Sequence, residues 1–331
     1  MFMNDLVSVL VPVYNVEKYI ERCAVSLFEQ TYDNIEYIFV NDCTPDNSVS
    51  VLMKTIERFP IRKERVLVIR HLQNQGLAVA RNTALEAAHG KYVMHVDSDD
   101  YIDKTTVEEA VRKMHEKSAD VVIFGMTHVF KNKTISEVVE VPEDPWKYSA
   151  KLLARECPVC VCGGLYLRSL YMDNDVRAIP GLNMGEDYAT KPRLVYYAKK
   201  IASLNKPLYF YVHYNEGAYS YTLKNKYVDD LIHALQVLED FFKKCNKPAF
   251  FSDSIVKAKI DIWFLLLTSW GIHHGDKIIW KRLQKLFAFQ SLSNVSFKKK
   301  IMIYFAMHNR PYLVRLYAIS GVTTQHPYGH E

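Results

Sequence analysis

No stretch of this chain approaches the ~20 consecutive apolar residues that a bilayer span requires, which excludes a transmembrane helix on hydropathy grounds. The longest candidate, Ile260 to Ile272, is shorter and reads as a core helix. The opening Met1-Phe2-Met3-Asn4-Asp5 has neither the basic region nor the apolar core of a signal peptide, so the expectation is a cytoplasmic chain. Cysteine is scarce, six in 331 residues, and fits a reducing compartment. Cys157, Cys160 and Cys162 form a C-x-x-C-x-C cluster, but no fourth zinc ligand stands nearby in sequence. The alternation of Val159 and Val161 with Cys160 and Cys162, leading to Leu165-Tyr166, predicts instead a strand with small buried thiols. Internal repeats and low-complexity linkers are also missing.

What is present is ordinary globular composition, 49% hydrophobic and 24% charged, enough for one large domain plus an appendage. The net charge of +5 is unevenly placed: residues 271–331 carry nine Lys or Arg against two Asp or Glu, while residues 1–270 balance at 33 against 35. A basic tail on a near-neutral body suits an anionic membrane surface or a phosphate-bearing acceptor; a solvated basic face on a helical appendage is the alternative. Because the excess lies on the tail and on no recognition module, a nucleic-acid partner is not expected.

The first hundred residues alternate strand and helix patterns. Apolar β-rich segments at Leu6–Val13, Ile35–Val40, Val66–Ile69 and Tyr92–Val96 are separated by helical patterns at Glu17–Gln30, after Asp46, and at Gly76–Ala88. Repeated βα units imply a mostly parallel sheet flanked by helices, a Rossmann-like α/β fold. A helix near Thr105–Lys117, a hairpin of Val121–Phe130 with Ile135–Val141, a helix after Pro145 and one over Tyr188–Lys199 follow, then short strands at Ile201–Leu204 and Leu208–His213. From about Lys224 the periodicity is helical, at Val228–Phe242, Ile255–Trp270, Ile278–Phe287 and Phe297–Met307.

Polar residues gather at the carboxyl ends of the first four strands, where open α/β sheets bind ligands. The first strand ends in Pro12-Val13-Tyr14-Asn15, and the second in Asn41-Asp42-Cys43-Thr44-Pro45-Asp46. Asn74-Gln75-Gly76 follows the third, with Ala80-Arg81-Asn82 on the next helix. The fourth ends in Asp97-Ser98-Asp99-Asp100, either an acidic turn capping the next helix or a hard-oxygen site for Mg²⁺ or Mn²⁺. An aromatic for stacking, a carboxylate for a base edge, a cation for phosphate and carboxylates for metal together describe a nucleotide-diphosphate site.

These motifs, with Val7-Ser8-Val9-Leu10-Val11 before them and the Gln30-Thr31-Tyr32 segment, closely resemble glycosyltransferase family 2 over roughly residues 6–215. The resemblance implies the GT-A fold and an inverting, metal-dependent transferase of capsule, exopolysaccharide or lipopolysaccharide type. It implies a catalytic domain over residues 1–222, with a nucleotide-sugar half at 1–103 and an acceptor half at 104–222, followed by a helical extension at 223–331. Pro12, Tyr14, Asn15, Asp42, Asn74, Gly76, Arg81, Asp97 and Ser98 would line the donor site, Tyr14 and Asp42 holding a base expected to be uracil. Asp99 would ligate a divalent metal, with Asp97 on the ribose or on metal-bound water, and Arg81 would stand near the diphosphate or fix the acidic cluster. In Asn183-Met184-Gly185-Glu186-Asp187, Asp187 would be the catalytic base and Glu186 its alternate or an acceptor-orienting partner; an acid-rich helix start is the other reading.

The implied partners are a UDP-sugar and a glycan or lipid-linked acceptor. Lys298-Lys299-Lys300, Arg310 and Arg315 suit peripheral contact with the anionic inner face of the cytoplasmic membrane, and a homodimer surface competes for the same helices. His213 reads as half-buried and structural rather than a metal or diphosphate ligand. A non-catalytic nucleotide-sugar binder is the alternative. A sugar-phosphate nucleotidyltransferase is weaker, since the turn after the first strand has no glycine to wrap a triphosphate. Processive synthases carry membrane helices and a Gln-x-x-Arg-Trp motif, both missing here.

Overall fold

In the computed structural model, seven consecutive buried residues make β1 (Val7–Val13), and burial on both faces is why its sequence runs apolar without alternation. Parallel partners flank it: β2 (Ile35–Asn41) sets Ile35 against Val7, and β4 (Tyr92–His95) sets Tyr92 against Val7. β3 (Val66–Arg70) lies beyond β2. Helices α1 (Ile20–Phe28), α2 (Ser48–Glu57), the short α3 (Pro60–Lys63) and α4 (Leu77–Glu86) link these strands. α1 buries Ile20, Cys23, Ala24, Leu27 and Phe28, the spacing of one helix face. Strand order reverses between β1 and β4, which opens a ligand crevice at their carboxyl ends.

The described residues are 4–215, 225–272, 277, 280, 281 and 297–320. The sheet continues through β5 (Tyr101–Ile102), β6 (Val121–Val129), β7 (Thr134–Glu137), β8 (Gly164–Leu167) and β9 (Ile201–Val212), in the order β3-β2-β1-β4-β8-β6-β9-β5 with β7 on β6. β8 runs antiparallel to both β4 and β6, so the second half of the sheet is mixed. Helices α5 (Thr106–Lys117), α6 (Pro145–Leu153), α7 (Arg168–Met172) and α8 (Glu186–Tyr196) complete this part of the chain.

Three local expectations change. The two short strands after residue 200 are one strand, β9, whose pairing shifts register beside Gly125 of β6. β7 stops at Glu137, short of Val141. The expected cysteine-bearing strand begins only at Gly164; Cys157 to Gly163 form a loop, because Gly163 takes φ +75° and the Val161 amide turns to the Asp187 carboxylate instead of a neighbouring strand.

Packing divides the chain into two units, residues 1–149 with 159–219 and residues 150–158 with 220–331. The second is helical: α9 (Asn225–Lys244), α10 (Pro248–Ile272), α11 (Phe297–Met307) and α12 (Pro311–Ile319). Phe242, Phe251 and Trp263 are fully buried in it. The expected boundary at residue 222 and most of the expected helix at Ile278–Phe287 lie outside the described residues. Among the described residues no helix is long and apolar enough to cross a membrane.

Candidate functional site

Arg81 is the hub of the crevice. It projects from α4 with only 4% of its side chain exposed, and its guanidinium reaches three carboxylates. Nη2 donates to Asp97 Oδ1 at 2.8 Å; Nη1 donates to Glu186 Oε1 at 2.9 Å and Asp187 Oδ1 at 2.5 Å. Two acids at the start of α8 are favoured by the helix dipole, and Gly185, at φ +86°, turns the chain into that helix. Burial and then the Asp187 charge push the Glu186 carboxyl well up from its usual range. Burial also raises Asp187, with Arg81 pulling the other way and the Val161 amide and Cys160 thiol donating to its carboxylate. Asp187 retains 16% exposure against 10% for Glu186, so it is the more reachable of the pair.

The acidic strand end resolves into different environments. Asp97 shares Arg81, and its amide donates to the Tyr209 hydroxyl at 3.1 Å. Asp99 Oδ2 accepts from Asn215 Nδ2 at 2.8 Å, and its backbone carbonyl accepts from Arg22 Nη2 at 3.0 Å. Burial and the Asp97 charge raise the Asp99 carboxyl. Asp100 is fully buried and accepts from the Tyr209 hydroxyl at 2.6 Å and the Val212 amide at 2.7 Å, which joins the turn to β9. Ser98 is buried beside them.

On the β1–β2 side, the loops after both strands are laced together. The Asn15 amide donates to Thr44 Oγ1, the Thr44 amide donates to Asn41 Oδ1, and Asp46 accepts from the Glu17 and Ser48 amides. Asn41 fills its place with a neutral acceptor. Asn15 takes φ +56°, and the Tyr14 ring beside it is 41% exposed, while Pro12 is buried within β1. Asp42, expected to hold the base, is already engaged within the chain. It is 3% exposed, and its oxygens accept from His71 Nδ1 at 2.7 Å and the Gln75 and Gly76 amides at 2.8 Å each. A buried carboxylate must fill its lone pairs locally, and this one does so by holding the turn before α4. Gly76 in that turn has φ +89°, and a Cβ there would stand 2.9 Å from Asn183 Oδ1. Asn74 is exposed.

The donor set fits a divalent cation. Asp97 and Asp99 stand two residues apart, with Arg81 and Asn215 each donating to a single carboxylate oxygen, and hard oxygens suit Mg²⁺ or Mn²⁺ completed by water and phosphate. Among the described residues no group of three or more His, Cys, Asp or Glu side chains forms a metal cage by itself. His213 is engaged elsewhere: its ring stacks on Phe130 and lies 2.8 Å from His128 Nδ1.

Four contributors escape sequence reasoning. Arg22 and Asn215 brace Asp99, His71 orients Asp42, and Asn82 exchanges two hydrogen bonds with the backbone of Ala178. Only Asn82 carried a signal, as the residue after Arg81 in the matched motif; the other three meet the site through tertiary contacts alone.

The Glycosyl transferase family 2 profile matches residues 8–174. Glycosyltransferase GlyA of Streptococcus pneumoniae is 32% identical over 249 residues, covering 71% of this chain and 34% of GlyA, so the chain spans about a third of that relative's length. Glycosyltransferase GlyG of the same species is 30% identical over 226 residues, 63% of this chain and 71% of GlyG. Among solved structures, residues 1–349 of Staphylococcus aureus TarS in complex with UDP align at TM-score 0.70 and 21% identity, covering 98% of this chain and 94% of that one. The same TarS fragment in complex with UDP-GlcNAc aligns at TM-score 0.62. The likeness to TarS is one of fold, the GT-A arrangement. A profile match over half the sequence, covering the four strand ends that build the crevice, leads to one conclusion: the chain belongs to glycosyl transferase family 2.

Proposed function

We propose that the chain is an inverting glycosyltransferase. It moves a sugar from a nucleoside diphosphate, with UDP-sugars as the donor class, to a hydroxyl of a glycan or lipid-linked acceptor in surface-polysaccharide assembly. The observation that carries this reading is the single guanidinium of Arg81 on Asp97, Glu186 and Asp187, which joins the acidic strand end to the start of α8. TarS is named as a poly(ribitol-phosphate) β-N-acetylglucosaminyltransferase, which makes UDP-GlcNAc the first donor to test here.

In this reading Asp187 is the base. As the acceptor oxygen bonds to the sugar C1, the C1–oxygen bond to the diphosphate breaks, and Asp187 takes the hydroxyl proton; the products are the inverted glycoside and the nucleoside diphosphate. Arg81 keeps the Asp187 carboxylate charged and aimed, and Glu186 shares that cation and orients the acceptor. Asp99 and Asp97 would hold Mg²⁺ or Mn²⁺, which when bound neutralises charge on the departing diphosphate. Tyr14 offers an exposed ring to the base, Asn15 and Ser98 line the donor cleft, and Asp42 acts through the Gln75-Gly76 turn. Transfer assays with a panel of nucleotide sugars test the donor class. Asp187→Asn should abolish transfer while UDP affinity stays near wild type; unchanged turnover would refute its role as the base.

The basic tail supplies the membrane side of the same reading. Residues 297–320 contain five Lys or Arg and no acid. Tyr304 and Met307 on α11 are exposed, as are Tyr312, Leu316 and Ile319 at one-face spacing on α12. Cations beside exposed aromatic and aliphatic groups suit an anionic lipid interface; pairing two such faces in a homodimer would oppose like charges.

A further inference from the structure

Arg81, expected either near a diphosphate or as the group that fixes the acidic cluster, directs its guanidinium hydrogen bonds to Asp97, Glu186 and Asp187. A second guanidinium stands at the same strand end. Arg22 lies on α1 outside the buried stripe, with its Cζ 4.5 Å from the centroid of the Tyr101 ring. Its Nη2 donates to the Asp99 carbonyl at 3.0 Å, and its Nη1 donates to the Tyr214 hydroxyl. Its Nε is buried without a hydrogen-bond partner, and no carboxylate forms an ion pair with Arg22 among the described residues. The Asp99 carboxyl attracts Arg22 without forming a direct ion pair, and a partly desolvated guanidinium so placed is favoured by an anion with several oxygens in reach. The neighbouring Asp99 is the residue assigned to the metal, and a metal-borne diphosphate would bring such an anion there.

We propose that Arg22 binds the diphosphate of the donor and of the departing nucleotide, while Arg81 serves the acidic cluster. The inference rests on the nucleoside-diphosphate reading above. The attraction is to phosphate oxygens, so it should discriminate between a nucleoside and its diphosphate. A purely structural staple between α1, the Asp99 turn and Tyr214 would not.

Calorimetric titration of the full chain with UDP and with uridine, each with Mn²⁺ present, tests the proposal. Arg22→Gln should weaken UDP binding about tenfold or more and leave uridine binding unchanged, with Arg22→Lys recovering part of the loss. Equal UDP affinity in wild type and Arg22→Gln would overturn the assignment, and so would parallel losses for UDP and uridine. Should Arg22→Gln fail to fold, the Lys variant decides alone: a loss for UDP but not for uridine supports the proposal, and any other pattern overturns it. A wild-type chain that binds neither compound, with or without Mn²⁺, would overturn the donor reading itself rather than Arg22 alone.

Discussion

Two regions of this chain treat charge in opposite ways. Around Arg81, one buried cation is tied to three carboxylates that are themselves largely shielded from solvent. Over residues 297–320 the charge is all of one sign, and large apolar side chains lie exposed beside it. The first arrangement is strong only because it is complete, since removal of one member strands the others in a poorly solvating interior. The second has one acidic complement within its own helical unit, Asp261 on Lys299, and its exposed apolar side chains suit an external surface. Burial, more than charge count, separates a site from a docking face.

The largest effect expected is on chemistry. Asp187→Asn keeps the shape of the cluster but removes the proton acceptor, and transfer should fall by about 10²–10⁴-fold. Arg81→Leu comes next: with Asp97, Glu186 and Asp187 left uncompensated, stability should drop by about 3–5 kcal/mol, read as a lower denaturant midpoint. A midpoint unchanged in that variant would break the comparison, because the cluster would then behave like a solvated surface. Asp42→Asn tests whether a second buried carboxylate is structural; replacing one of the two oxygens that accept from the Gln75 and Gly76 amides with an NH₂ donor should cost about 1–3 kcal/mol and speed hydrogen exchange there. The smallest effects belong to the basic helices. Arg310→Glu, at an exposed position, should weaken co-sedimentation with anionic liposomes by about 1 kcal/mol per removed charge. Equal binding of the wild-type chain to neutral and anionic vesicles would end the membrane reading.

Much of this architecture is legible before folding. The four βα repeats appear because a strand buried on both faces must be a continuous apolar run, and Val7–Val13 is one. Gly76 is legible too, as a turn residue that the structure holds at positive φ. Cys160 and Cys162 mislead, because alternation predicts a strand wherever the backbone is free to pair, and here the Val161 amide serves Asp187. Asp42 shows a different limit. A carboxylate at a strand end looks available until the turn that closes over it is known.

Local order along the chain determined the strands, their carboxyl-end polar residues and the family to which they belong, since each depends on neighbours a few residues apart. Only the tertiary structure decided which cation meets which acid. Arg81 reaches Asp97 across one βα connection and Glu186 and Asp187 across several more elements, while Arg22 comes to Asp99 from the first turn of α1. Such meetings follow from strand order and helix rotation, and those are set by how the whole core packs rather than by any segment of it.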